Sequence, residues 1–203
     1  MSGYPLVLDG AAISAVVVGG GAVATRKAIA LVDAGAVVRV LAPAIATELE
    51  ERASTCDRLT LTRARYAPDQ IAGATLVVAA TNDDAVNARI AADARACGLL
   101  VNVVSEPQLG TCITPAVHRA GDIVVAVSAG GVPRAAARLR DAIARWLDAR
   151  FAASVSDLTL LRRDLLARGQ RDRWRTAAAT LLDEHFVEQV QRDAFAERIA
   201  EWR

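Results

Sequence analysis

The hydrophobic positions near the N-terminus fall into short apolar runs separated by glycine-rich turns and alanine-rich stretches. Ile13–Val18 is a mostly apolar run, as is typical of a strand buried in a parallel sheet. A glycine cluster follows it, and an alanine-rich helix is predicted over Ala22–Ala34, ending at Gly35. A second apolar run, Val37–Leu41, comes next. This order predicts a strand-turn-helix-strand unit of an α/β protein.

The alternation of strands and helices continues to about residue 104. One helix has clear end signals, because Asp83 or Asp84 can cap its start and Gly98 stops it. The other predicted elements are a helix over Ile45–Ala53, strands over Leu59–Thr62 and Ala74–Ala80, and a strand over Leu100–Val104. We therefore expect a mainly parallel sheet in the first half of the chain.

The pattern changes after residue 113. Ile123–Val127 is an apolar run bounded by glycines that no strand-helix-strand unit completes, so it is predicted to be an isolated strand that pairs outside the first domain. From Arg134 the chain is predicted to be helical. Its apolar stripes are Leu139, Ile143, Leu147 and Phe151; Leu158, Leu161 and Leu165; Leu181, Leu182, Phe186 and Val190; and Phe195, Ile199 and Trp202. These stripes exceed what one small bundle needs to bury, so we interpret part of them as a subunit interface.

The glycine cluster has the spacing Gly19-x-Gly21-x-x-Ala24. Gly19 and Gly21 allow a tight turn with close backbone approach, and Ala24 lets the helix pack closely on the strand. Free backbone N–H groups and the positive end of the helix dipole would then face a pyrophosphate. Such turns also occur at plain strand-helix junctions, but the strands on either side favour a dinucleotide site. The candidate contacts are Gly19, Gly20, Gly21, Ala22, Val23 and Ala24.

Two further segments bear on this site. The second strand ends in Ala42-Pro43-Ala44, without the Asp or Glu that often holds the ribose hydroxyls. Either backbone groups around Pro43 and Ala44 hold the ribose, or the turn is not a nucleotide site. Thr81 and Asn82 follow a central strand, where open α/β sheets bind ligands, and are candidate cofactor contacts.

Composition narrows the class of protein. The 203 residues suffice for one domain with an appendage, and 53% hydrophobic with only 4% aromatic residues predicts a core of alanine, valine and leucine. A net charge of +1 gives no overall field to recruit nucleic acid or a membrane. Cys56, Cys97 and Cys112 are widely spaced, as expected of reduced thiols. With no signal-peptide pattern at its start, we expect a cytoplasmic protein.

Five motifs fall in the order and spacing of one known family. They are Val17-Val-Gly-Gly-Gly-Ala-Val-Ala-Thr-Arg-Lys, Ala79-Ala-Thr-Asn-Asp-Asp-Ala-Val-Asn, Asn102-Val-Val, Ile113-Thr-Pro and Val125-Ala-Val-Ser-Ala-Gly-Gly. With them the chain resembles the siroheme synthase N-terminal, or precorrin-2 dehydrogenase, family from about Leu6 to Arg140, and more loosely through the helical tail. One motif alone would be a weak signal, whereas five in register are specific.

The resemblance implies NAD-dependent oxidation of precorrin-2 to sirohydrochlorin in siroheme biosynthesis and, in some members, insertion of ferrous iron. It implies an α/β fold with an N-terminal Rossmann-like parallel sheet (residues 1–113), a small strand-containing dimerisation segment (114–149) and a C-terminal helical domain (150–203). It also implies a homodimer whose central strands intertwine. Because the family holds NAD without the acidic residue, its absence at Pro43 and Ala44 does not count against this cofactor.

The chain departs from the family at Ser105, where members commonly carry Asp after Asn-Val-Val. The resemblance assigns that carboxylate to proton removal and chelation, and serine is a poor general base. Glu106 is adjacent and is a candidate replacement, although a glutamate at a strand exit is more often solvated. His118 is a third catalytic candidate, near the expected cleft. Iron insertion is the activity placed in doubt, since in dehydrogenation the released protons can go to water.

The substrate of this family carries several carboxylates, which arginine can bind bidentately. Arg134 and Arg138 follow Ser128-Ala-Gly-Gly, so Ser128, Arg134 and Arg138 are candidate substrate contacts, with solvated helix charges as the alternative for the arginines. His118 and His185 have no nearby Cys or second His in the sequence, so no permanent metal site is predicted.

Two other functions stay open at this point. A nucleotide-sensing regulatory module would carry the same glycine turn, but it does not account for the spacing from Ile113-Thr-Pro to Ser128-Ala-Gly-Gly. A catalytically degenerate dimeric scaffold is the other alternative, and Ser105 is the reason to consider it. Incubation with precorrin-2 and NAD separates the enzyme from both.

Overall fold

The computed structural model describes residues 3–203. They form two compact units, one ending at Thr114 and the other spanning Pro115–Arg203. The three-part division expected from the sequence stays a prediction.

The first unit is a five-stranded parallel sheet with helices on both faces. Its sheet order is β3-β2-β1-β4-β5, so the chain crosses to the other side of β1 between β3 and β4. The predicted Rossmann-like fold class is therefore confirmed. The elements are β1 (Ser14–Val18), α1 (Ala22–Asp33), β2 (Val37–Leu41), α2 (Thr47–Ser54), β3 (Leu59–Thr62), β4 (Leu76–Ala79), α3 (Asp84–Ala96) and β5 (Leu100–Val103).

The central strand β1 is buried on both faces because its side chains alternate between two apolar layers. Val17 packs in the layer that contains Ala24 and Ala28 of α1, and Val16 packs in the layer that contains Ile90 of α3. Alanine at two successive turns of α1 leaves no bulk between helix and sheet. The high alanine content thus has a structural consequence, because small side chains let α1 pack close to the strands.

Some predicted boundaries differ from those of the structure. The helix predicted from Ile45 begins at Thr47, because Ala46 is extended and its N–H donates to the carbonyl of Gly20, at 3.0 Å. Strand β4 begins at Leu76 rather than Ala74, and β5 ends at Val103. Loops at the strand ends form hydrogen bonds with the glycine turn or with neighbouring strands. Sequence periodicity does not predict these contacts, so it misplaces the boundaries.

The second unit begins with an antiparallel hairpin. The prediction that Ile123–Val127 is isolated is therefore wrong, whereas the prediction that it pairs outside the first domain is correct. This strand, β7, pairs with β6 (Ala116–Ala120) around a turn at Gly121, whose φ is 56°. The sequence of β6 combines histidine and arginine with small residues, which hides its strand character. The helices are α4 (Pro133–Trp146), α5 (Ala149–Ala167), α6 (Arg171–Leu181), α7 (Phe186–Gln191) and α8 (Phe195–Ala200).

The long stripe predicted from Leu139 to Phe151 is divided between two helices. The chain leaves α4 at Leu147, and Asp148 then caps α5 by accepting a bond from the N–H of Arg150, at 2.9 Å. The predicted stripe through Leu181 and Phe186 is divided in the same way between α6 and α7. Most later stripe residues are buried in this unit's own core, namely Phe151, Leu158, Leu161, Leu165, Leu181, Val190, Phe195 and Ile199. None of the described helices combines the length and apolar character needed to cross a bilayer.

Candidate functional site

The glycine turn after β1 is fixed by close backbone contacts. Gly19 has a φ of 130°, and a Cβ there would lie 2.3 Å from the carbonyl oxygen of Ala80, just beyond β4. Its N–H donates to the carbonyl of Leu41, at the end of β2, over 2.9 Å. Only glycine fits this position, because both the dihedral angle and the space exclude a side chain.

The next two glycines meet different surroundings. A Cβ on Gly20 would lie 2.0 Å from the carbonyl oxygen of Ala44, so the predicted ribose segment Pro43–Ala44 packs directly against the turn. A Cβ on Gly21 would meet no atom of the described residues within 4 Å. Gly20 is therefore required by packing, whereas Gly21 opens the turn toward space that a ligand can fill.

The start of α1 is suited to bind an anion. Gly21 is the extended residue before the helix, and no side chain within residues 3–203 caps its first turn. The first N–H groups of a helix have no intrahelical acceptor and lie at the positive end of its dipole. Ala22 and Val23 are exposed, and Ala24 is buried against the sheet. This cradle of small residues fits the pyrophosphate of a dinucleotide.

Thr81 lies at the carboxyl end of β4, and a buried asparagine on α3 holds it. The Thr81 N–H donates to Oδ1 of Asn87 over 3.2 Å, and Nδ2 of Asn87 donates to the Thr81 carbonyl over 3.1 Å. The Thr81 hydroxyl also lies 2.8 Å from that Oδ1. Asp83 caps α3 by accepting from the N–H of Val86, which explains the aspartate without a ligand. Asn82 lies between them in the same loop.

Ser105 lies just beyond β5 and joins the same network. Nδ2 of Asn87 lies 3.3 Å from Oγ of Ser105, so one amide links the loop after β4 to the exit of β5. The structure thus brings together Thr81 and Ser105, two residues predicted for different roles. Glu106 accepts a bond from the side chain of Gln108 over 3.2 Å, a local contact on the surface. The catalytic roles of Ser105 and Glu106 stay predictions.

Asn87 is the residue of this site that sequence reasoning did not assign a role. The sequence could have indicated Asn87 by its position alone. It lies three residues before Ile90, on the face of α3 that packs on the sheet. A polar side chain there must find partners inside the protein. Asn87 finds them in the two loops that end neighbouring strands.

A second group missed by the sequence lies around Lys27 on α1. Its ammonium donates to the Thr114 hydroxyl at the end of this unit. Burial and the nearby Arg26 lower the pKa of Lys27, and burial raises the pKa of the Cys112 thiol, which stays protonated and unreactive. Nδ2 of Asn102 donates to the Cys112 carbonyl over 3.1 Å. These contacts hold the segment that follows β5.

The remaining predicted residues lie in the second unit. His118 is half-buried in β6, opposite Val125, and its Nε2 has no hydrogen-bond partner among the described residues. Ser128 is exposed after β7, and Arg134 and Arg138 are exposed one turn apart on α4. Their roles, and that of His118, stay predictions. Cys56, Cys97 and Cys112 are free, and the described residues contain no cluster of three or more His, Cys, Asp or Glu side chains that could hold a metal ion.

Comparison with known proteins agrees with this geometry. A family model described as putative NAD(P)-binding matches residues 6–116. This chain belongs to that family. The predicted NAD-type cofactor is therefore confirmed, and the residues of the glycine turn fit it.

Curated relatives are siroheme synthases. The chain is 47% identical over 136 residues to the siroheme synthase of Ectopseudomonas mendocina, which covers 66% of this chain and 29% of that protein. It is 40% identical over 164 residues to the siroheme synthase of Chromobacterium violaceum, covering 77% of this chain and 35% of that protein. The chain thus spans about a third of the length of the curated relatives it matches.

A solved structure titled "SirC, precorrin-2 dehydrogenase" is similar over nearly the whole chain. The match covers 98% of this chain and 99% of that one, with a TM-score of 0.76 and 25% sequence identity. The predicted resemblance to the siroheme synthase and precorrin-2 dehydrogenase family is therefore confirmed.

Proposed function

We propose that this protein oxidises precorrin-2 to sirohydrochlorin, with NAD as the hydride acceptor, in siroheme biosynthesis. The observation that carries the proposal is the similarity to a precorrin-2 dehydrogenase, which extends over 98% of this chain and 99% of the other. The matches to siroheme synthases support the same pathway. One hydride passes to NAD for each substrate oxidised, and one proton is released.

The chain's own residues would bind and orient the reactants. The N–H groups of Gly20, Gly21 and the first turn of α1 would hold the pyrophosphate, and the backbone of Pro43 and Ala44 would hold the ribose. Thr81 and Asn82 would contact the cofactor farther along the same edge of the sheet, because parallel sheets bind ligands at the carboxyl ends of their strands. NAD, when bound, supplies the acceptor for the hydride. The released proton would go to water or to His118, because Ser105 is a poor base.

Substrate binding would depend on the second unit. Arg134 and Arg138 are exposed on one face of α4, and neither takes part in an ion pair among the described residues. Both are therefore free to bind the carboxylates of precorrin-2, together with Ser128, which precedes them in the same segment. Paired arginine-carboxylate contacts would also select a polyanionic tetrapyrrole over neutral ligands.

Iron insertion would be weak or absent. Ferrous iron would enter as a substrate rather than a resident metal, and its insertion requires a group that takes up protons from the pyrrole nitrogens. The position that carries Asp in related proteins is Ser105 here, and a hydroxyl does not ionise near neutral pH. Glu106 offers a carboxylate nearby, but this carboxylate is half-buried and already accepts a bond from Gln108.

A homodimer in the cytoplasm is part of the proposal. The outer face of the hairpin exposes Val117 and Val124, 39% and 38% accessible, and α4 exposes Leu139, 53% accessible. Apolar side chains on an unpaired sheet face favour contact with a second copy of the chain. The three free cysteines suit a reducing compartment.

The deciding experiment is incubation with precorrin-2 and NAD while NADH and sirohydrochlorin are followed by absorbance. We expect both to form in equal amounts. A control without precorrin-2 measures any other NAD reduction. Binding of NAD without turnover would instead favour the regulatory module, and intact dimers that neither bind nor turn over would favour the scaffold.

A further inference from the structure

The orientation of the Asn87 side-chain amide is fixed by the backbone of Thr81. A backbone N–H can only donate and a carbonyl can only accept, so Oδ1 must face the Thr81 N–H and Nδ2 must face the Thr81 carbonyl. The side-chain oxygen and nitrogen of Asn87 therefore cannot exchange places without the loss of both bonds. Asn87 is fully buried, at 0% exposure, so those bonds have no water to replace them.

This orientation determines what Ser105 does. The second hydrogen of Nδ2 points to Oγ of Ser105, 3.3 Å away, so the hydroxyl accepts at that contact. Its single proton must then point elsewhere. Within residues 3–203 the Ser105 hydroxyl donates no hydrogen bond, and Ser105 is exposed beyond β5. The proton is therefore presented to solvent at the sheet edge that also carries Thr81.

We infer that Ser105 is a hydrogen-bond donor to an oxygen of the bound ligand, and that Asn87 is the positioning residue that makes it one. The inference rests on the proposed function for the identity of the ligands. The acceptor is an amide or carboxylate oxygen, found on the nicotinamide carboxamide and on the substrate side chains. A carboxylate at position 105 could only accept hydrogen bonds. Serine at this position therefore supplies a hydrogen-bond donor in place of a base.

The first test is ligand binding by calorimetry, with NAD alone and with precorrin-2 added to the NADH-bound protein, in which no oxidation can occur. Ser105→Ala removes the donor and should weaken one of the two ligands by about tenfold, the value of one hydrogen bond of about 1.4 kcal/mol. Ser105→Thr keeps the hydroxyl and should bind within about twofold of the unsubstituted protein. Weaker NAD binding would identify the carboxamide as acceptor, and weaker precorrin-2 binding a substrate carboxylate.

The second test reverses the donor. In Asn87→Asp a carboxylate would accept the Ser105 proton and turn it inward, so ligand affinity should fall as in Ser105→Ala, and the double variant should lose little more. Asn102→Asp is the matched control, because Asn102 is also buried but contacts the Cys112 carbonyl instead. An equal loss of affinity in this control would show a general effect of a buried carboxylate and overturn the positioning role.

A third measurement needs no ligand and remains valid if Asn87→Asp does not fold. In an NMR spectrum of asparagine-labelled protein, Ser105→Ala should shift the Asn87 side-chain amide protons and leave those of Asn102 in place. Unchanged Asn87 signals, or unchanged affinity for both ligands in Ser105→Ala, would overturn the inference. Absence of turnover in the unsubstituted protein would instead reject only the proposed function.

Discussion

The two units of this protein differ in how completely their sheets are covered. In the first unit β1 is buried on both faces, and its glycine turn contacts the ends of β2 and β4 through backbone atoms. In the second unit the hairpin has one face toward α4 and the other exposed, with Val117 and Val124 on the open side. The first unit thus contains its own binding cradle, whereas the second exposes apolar side chains on one face of its hairpin.

This difference separates two kinds of functional residue. Gly19 and Gly20 are required by distances within one unit, so a substitution there disturbs the fold as well as the ligand. Arg134, Arg138 and the outer valines of the hairpin have no such constraint. Their substitution should affect only what they bind.

The largest effect is expected from Gly21→Asp. The position has open space around it, so the variant should fold, but its carboxylate would lie where the phosphates bind. We expect NAD affinity, measured by calorimetry, to fall by roughly a hundredfold or more, because bonds to charged groups are worth about 1.5–3 kcal/mol each. Gly3→Asp is the control, since a Cβ on Gly3 would also meet no atom within 4 Å and its φ, like that of Gly21, is not in the left-handed region. Equal affinity in both variants would remove the glycine turn from the site.

The second prediction concerns the open face of the hairpin. Analytical ultracentrifugation at micromolar concentration should show a dimer, and Val124→Asp should raise its dissociation constant at least about tenfold, since an unpaired buried charge costs more than about 1–3 kcal/mol. Val187→Asp in α7 is the control, because Val187 has the same 38% exposure. Val125→Asp, on the inner face, should also lower the free energy of unfolding. A monomeric unsubstituted protein would contradict the dimer.

The same contrast explains what the sequence could predict. The bounds of β2 and β7 agree with apolar runs, and those of β3 with an alternation of leucine and threonine. The glycine spacing marked the turn. All of these features depend on local sequence. Strand β6 was missed because histidine and arginine interrupt its apolar pattern. The break at Leu147 was missed because the apolar spacing of four continues across it into α5.

The site was harder to predict than the fold, because its key contacts join residues distant in sequence. Thr81 and Ser105 were singled out for separate reasons, but nothing in the sequence connects them. The link is Asn87, which lies six residues from Thr81 and 18 from Ser105 along the chain. Such a bridge depends on α3 packing between the ends of β4 and β5, which only the folded sheet supplies.

The third prediction restores the carboxylate at the exit of β5. In Ser105→Asp the Asn87 amide could still donate to position 105, so the new carboxylate would be held at the sheet edge. We expect iron insertion into sirohydrochlorin to rise several-fold, less than the about 10²–10⁴-fold of a fully positioned general base. Ser105→Asn has the same shape without the charge and should not gain this activity. Loss of insertion in Glu106→Gln instead would assign the proton to Glu106.

The smallest expected effect concerns Lys27, which contacts Thr114 at the end of the first unit. Because burial lowers the pKa of Lys27 in the folded protein, the unfolded chain binds more protons between that lowered pKa and the ordinary lysine pKa of 10.5. Folding stability from this group therefore rises with pH across that interval. Lys27→Met has no ionisable group at this position. As the pH rises toward 10.5, the unfolding free energy of the unsubstituted protein should therefore increase relative to that of the variant.

Urea unfolding of both proteins from pH 8 upward measures this difference. The Cys112 thiol acts in the opposite direction, because burial raises its pKa above 9.0 and the folded state then loses stability as the unfolded thiol ionises. Both proteins should therefore carry Cys112→Ala. At neutral pH Lys27→Met also loses the bond to Thr114, worth about 1 kcal/mol. Parallel stability profiles at all pH values would contradict the lowered pKa of Lys27 in the folded protein.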